Sequence, residues 1–198
     1  MNVGKDLSKR GRTASPQTLS ESDRRRVAAW AADCAERVLG VFTAGAPGDD
    51  RARVLIARAR AFACGDLNTA EGIQRRFVGG VSRSDVSDPA AVAAGRSAGQ
   101  AVAVCHMGAH ALGAAAYAVQ AVGLANPDRP GTVEAEMCWQ LHHMSPQVRA
   151  ALQALPPVGA NPSGPLGPGL LASGQLGRIT RDLQTRLVYS SRHDAPVS

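Results

Sequence analysis

Apolar residues recur at three- and four-residue steps along most of this chain. The strict alternation expected of half-buried strands is absent, so the pattern predicts helices. From Ser22 to Phe42 the stripe Val27, Trp30, Ala31, Cys34, Val38 and Val41 makes one amphipathic helix, with Ser20 or Ser22 placed to cap it. Pro47, Asp49 and Asp50 open a second helix through Leu55, Ala61 and Phe62, which Gly65 closes. A short helix over 71–78 is expected after a cap at Asn68 or Thr69, and 79–88 reads as a loop. Asp88-Pro89 then starts residues 90–125, which are almost wholly Ala, Gly, Val and Leu. Gly95, Gly99, Gly108 and Gly113 weaken a helix but permit close crossings, so the stretch fits one long helix or two broken near 104–107. So apolar a segment must be wrapped by neighbours, which makes it the centre of an all-α, compact multi-helix bundle. After a turn at 126–131, helices are expected over 132–144 and, capped by Ser145, over 146–155.

The two ends read differently. Residues 1–20 lack periodicity and form an expected disordered basic arm before a domain spanning 21–155. Residues 156–174 hold five prolines and five glycines in nineteen positions, the composition of a linker. Within 175–198, Leu176, Ile179, Leu183 and Leu187 stripe a C-terminal amphipathic helix over 175–189, followed by a disordered tail. That stripe needs cover, either from the domain itself or from a protein partner or second copy.

Composition sharpens this picture at three points. Hydrophobic residues make up 44% of the chain and aromatics only 4%, so Ala, Val and Leu must fill the core. The net charge of +6 sits mainly at the ends: residues 1–20 carry +3 and residues 157–198 carry +2, leaving +1 for the body. Basic ends on a neutral domain argue against a nucleic-acid surface. There is no apolar signal segment and no membrane-length apolar run, so a cytoplasmic protein without a membrane anchor is expected. Cys34, Cys64, Cys105 and Cys138 show no CxxC or CxxxC pairing, and each reads as a small core residue.

Chemistry concentrates in the central stretch. His106 and His110 stand four residues apart, which on a helix places both imidazoles on one face. With Asp33 they make a candidate acid–base set, and the competing reading is a pair of satisfied core histidines. Asp33, beside the first apolar stripe, is expected to pair with Arg96 or a histidine of the central helix. Gln100, His106, His110 and Tyr117 form a polar spine in apolar surroundings. Trp30 and Trp139 lie in apolar stripes and read first as core; with Arg96, Gln100, Tyr117, Glu134 and His142 they are also the candidate binding residues. No P-loop, strand-linked GxGxxG, GxSxG or HExxH is present, and neither a cofactor nor a resident metal is expected.

Three segments carry a family resemblance: WAADCAERVL at 30–39, AGQAVAVCHMGAHALGAAAYAVQAV at 98–122 and EMCWQL at 136–141. Together they resemble an actinobacterial family of immunity proteins with an immunity-protein-five-like domain. The resemblance covers roughly 22–155, weakens around 80–90, where the loop is shorter and more polar, and leaves the tails outside. It implies an all-α fold and a role in self-protection through binding a protein toxin or a small toxic molecule. It supplies no catalytic set. The alternative is a small cofactor-independent enzyme, or enzyme-complex subunit, of specialised metabolism that uses His106, His110 and Asp33 or Glu134 in a helical pocket.

Overall fold

The computed structural model describes residues 15–71, 81, 86–129 and 131–193, the side chains of 190–193 excepted. The helix expected over 71–78, the end of the arm at 1–14 and the tail at 194–198 fall wholly or largely outside these residues. Among the described residues every regular element is helical.

Helix α1 (Glu21–Arg37) starts where Ser20 Oγ accepts the Asp23 amide at 3.1 Å. The single helix expected to Phe42 breaks at Val38, and α2 (Leu39–Gly45) follows directly. The break lets both Val38 and Phe42 be fully buried. It also brings Gly45 against the start of the next long element, where a Cβ would lie 2.4 Å from Asp88 Oδ2 and 2.6 Å from Ala91 Cβ. Helix α3 (Arg51–Cys64) ends at Gly65, whose φ of 93° is the left-handed conformation glycine adopts without penalty.

The small-residue stretch forms two helices, α4 (Pro89–Ala103) and α5 (His110–Ala125), and these share the most extensive contact in the molecule. Asp88 caps α4 by accepting the Ala90 and Ala91 amides. Their interface is lined by alanine, and Ser97 Oγ donates across it to the Ala114 carbonyl at 2.7 Å. Helices α1, α2 and α3 pack on α4. On α5 pack α1, α6 (Gly131–His142) and α8 (Gly174–His193). Helix α7 (Pro146–Gln153), capped by Ser145 Oγ, bridges α1 and α8. The C-terminal stripe therefore finds its cover within the chain: Leu183 and Leu187 are buried.

Two segments without long helices complete the core. Residues 15–20, assigned to the arm by their composition, are tied into the break between α4 and α5. The Gln17 and Thr18 carbonyls accept the Ala109 and Gly108 amides, each at 3.0 Å. Gln17 itself is 1% exposed, because its amide reaches across the molecule to Ser163 O (2.7 Å) and the Leu166 amide (2.9 Å). The Pro/Gly-rich segment between α7 and α8 is likewise held down, with a short 3-10 turn at Leu170–Ala172. Gln184 grips its start, donating to Pro156 O at 3.0 Å and accepting the Val158 amide at 2.9 Å. Leu166 and Leu171 are buried beneath it. A Gln17→Ala variant should lower Tm by roughly 2–4 °C per kcal/mol lost, with about 1–3 kcal/mol at stake in the orphaned groups. Thermal melting followed by circular dichroism checks this.

The cysteines divide rather than all lying in the core. Cys34 and Cys105 are buried, Cys138 is half-buried and Cys64 is exposed at the end of α3. All four are free. Burial pushes the Cys34 thiol well up, and a hydrogen bond to the Glu134 carboxylate raises that of Cys138. Since the thiolate is the nucleophile, a thiol reagent at pH 8 should modify Cys64 first, Cys138 more slowly and Cys34 only on unfolding. Peptide mapping after timed alkylation reads that order.

Candidate functional site

Several of the candidate residues line two surface clefts, one between α4 and α5 and one between α1 and α6. In the first, the break from Val104 to Ala109 changes the geometry of the histidines. His106 stands exposed in the turn, while His110 is the first residue of α5; their ring centres are 6.5 Å apart and tilted by 39°. They are therefore not a pair one turn apart on a single helix. Gly108 explains the break: a Cβ there would sit 2.4 Å from the Leu19 side chain, and Leu19 is held at a φ of 61°. The N-terminal segment occupies the room that a continuing helix would need.

His110 Nδ1 and Gln100 Oε1 lie 2.8 Å apart, joining α5 to α4. Tyr117, two turns further along α5, is buried, and the Arg96 guanidinium stands over its ring at 5.8 Å from the centre. Arg96 and Gln100 share one face of α4, as His110 and Tyr117 share one face of α5. Four of the expected binding or spine residues are thus brought together. Gln100, His110 and Tyr117 line a cleft of about 210 Å³, and Gly164, Pro165, Gly169, Leu170 and Leu171 form its other wall.

The second cleft, about 260 Å³, is lined by Asp33, Glu36, Arg37, Trp139 and His143. Trp30 is core, 2% exposed, with its indole N–H donating to Gln140 O at 3.0 Å. Trp139 is not: it turns its ring to the surface, since Glu136, Met137, Gln140 and Leu141 occupy the inner face of α6. His143, one turn on, stacks on it with centres 3.9 Å apart, and Arg37 Cζ lies 4.0 Å from the ring centre. Arg37 Nε also donates to Glu136 Oε2 at 2.8 Å, and the buried Glu136 takes a further hydrogen bond from Gln140 Nε2 at 3.0 Å. The aromatic ring is therefore clamped by a guanidinium that is itself anchored to a buried carboxylate.

Asp33 differs from expectation. It is part-exposed on α1 and pairs with Arg60 at 2.9 Å, and Arg60 also bridges to Glu36. The α3 guanidinium supplies the partner that Arg96 or a histidine was expected to provide. Asp33 thus lines the Trp139 cleft while His110 lines the other, and the proposed acid–base set is split between them. Glu134 lies apart from both linings. Arg186 of α8 grips it with two hydrogen bonds (2.5 and 2.9 Å), which hold its carboxyl below the usual range. His142 is exposed, with Nδ1 2.7 Å from Cys138 O. His143, Glu36 and Arg37 also line the Trp139 cleft, and the sequence pattern did not single them out as binding residues. The four-residue step from Trp139 to His143 was the available signal. Among the described residues, no three His, Cys, Asp or Glu side chains gather as a metal site requires.

Residues 17–147 match the family model described as Imm-5 like putative immunity protein. No curated protein and no solved structure matches the chain.

Proposed function

The chain belongs to the Imm-5 like immunity family, and on that premise we propose that it protects its host by binding and occluding a toxic protein partner. The observation that carries the surface assignment is Trp139, held at the mouth of the α1–α6 cleft by Arg37 and His143. Tryptophan and arginine are the side chains most enriched where binding energy concentrates, and a clamped ring loses little further freedom on contact. Asp33 and Glu36 flank the ring with part-exposed carboxylates, 42% and 54% exposed. Such a rim favours a partner that places a basic side chain beside its apolar anchor.

Neutralisation by binding needs no cofactor and no convergent catalytic groups. The test is co-expression with a toxin encoded beside this chain's gene. Growth should be restored by the wild-type chain and by His106→Ala and His110→Ala variants that fold. Loss of rescue by folded histidine variants would favour acid–base chemistry instead.

A further inference from the structure

The α4–α5 cleft lies apart from the contact surface just described and calls for its own explanation. We propose that it is a binding site for a small organic carboxylate with a one-ring apolar body. The cleft is two-sided in chemistry. Gln100, His110 and Tyr117 present polar groups from the helices, while Pro165, Leu170 and Leu171 present an apolar wall. Leu170 is 65% exposed at this edge, an apolar side chain left available to a ligand.

Arg96 is not itself a lining residue, but it stands over the ring of Tyr117, which is, and from there it would supply the charge. Arg25, Arg26, Arg37, Arg51, Arg60 and Arg186 each pair with a carboxylate of the chain. Arg96 is half-buried over Tyr117 and makes no ion pair within the described residues. A guanidinium one turn from the Gln100 amide, on the same helix face, suits the two oxygens of a carboxylate.

The site is also built in advance. Gly113 lets the Gln100 side chain and Leu171 meet at the cleft floor: a Cβ there would lie 2.4 Å from Gln100 Oε1 and 2.9 Å from Leu171 Cδ1. The outer wall is fixed by Gln17 at Ser163 and Leu166, by Arg181 donating to Ala172 O at 3.1 Å, and by the Gly159 amide on Leu166 O at 2.7 Å. That wall lies beyond residue 147, where the family match ends. The cleft therefore joins polar groups from within the family-matched region to a wall from beyond it. A volume of about 210 Å³ exceeds the roughly 150 Å³ that holds benzene and falls below the roughly 300–1,000 Å³ of drug-sized sites. One ring with a carboxylate fits.

The experiment is calorimetric titration of the full chain with benzoate, phenylacetate, benzamide and inorganic phosphate. At least one of the two carboxylates should saturate a single site, with benzamide and phosphate each about tenfold weaker or more. Arg96→Gln should weaken the carboxylate by about tenfold or more while leaving benzamide unchanged, and Arg96→Lys should fall between. Matching thermal melts establish that these variants fold. Failure of both carboxylates to saturate overturns the proposal, as does wild-type affinity in Arg96→Gln. Phosphate binding as tightly as the carboxylates would also overturn it, by showing a plain anion site. None of these outcomes bears on rescue from a toxin, which tests the other surface.

Discussion

Replacing Trp30 by alanine should cost about 3–5 kcal/mol, the largest stability loss expected from any single truncation described for this fold. Two effects combine at this position. The ring is 2% exposed in a core otherwise filled mostly by alanine, so neighbouring side chains have little reach with which to close the void. Its indole N–H also satisfies Gln140 O, one of the last four carbonyls of α6, which have no partner within the helix. Trp30→Phe helps to separate the two effects, since it keeps most of the volume while removing the donor; about 1–3 kcal/mol should be lost. Urea unfolding of the three proteins gives both numbers. A Trp30→Ala loss below about 1 kcal/mol would show that α1 and α6 do not depend on this joint.

Trp139→Ala should do the reverse. The ring is part-exposed and stacks on His143 at the surface, so its removal should cost little more than about 1 kcal/mol in folding. Partner affinity should fall by roughly 30-fold or more, the loss of about 2 kcal/mol or more that marks an interface hot spot. Arg37→Ala is the companion variant. It removes the cation over the ring and leaves Glu136, 3% exposed, without its guanidinium, so both stability and affinity should fall. Tyr189→Ala, on an exposed residue of α8, should change neither.

The helical pattern, the Ser20, Asp88 and Ser145 caps and the central place of residues 90–125 were legible in the sequence, because apolar spacing and cap chemistry are local signals. Of the expected spine, Gln100, His110 and Tyr117 do meet, but across two helices rather than along one, and His106 stands exposed outside them. The glycines allowed a break near 104–107 without deciding it against one long helix; what accompanies the break is distant, the insertion of Leu19 against Gly108, and no window of sequence contains both. Gln17 holding Ser163 and Leu166 is non-local in the same way, and composition alone assigns each of those segments to a loose end. Trp139 carried a misleading default: a large aromatic in a helix reads as core, and only the inner-face choice of Met137, Gln140 and Leu141 turns it outward. Asp33 shows that a carboxylate beside an apolar stripe can be satisfied by a neighbouring helix, here through Arg60 of α3.

The central claim, protection by stoichiometric binding through the α1–α6 cleft, is tested most directly by titrating a toxin encoded beside this chain's gene with the purified chain. Residual toxin activity should fall linearly to zero at one equivalent of wild-type protein, and Trp139→Ala should require a large excess. Inactivation of many toxin molecules by one molecule of the chain, or an unchanged endpoint and affinity with Trp139→Ala, would contradict it.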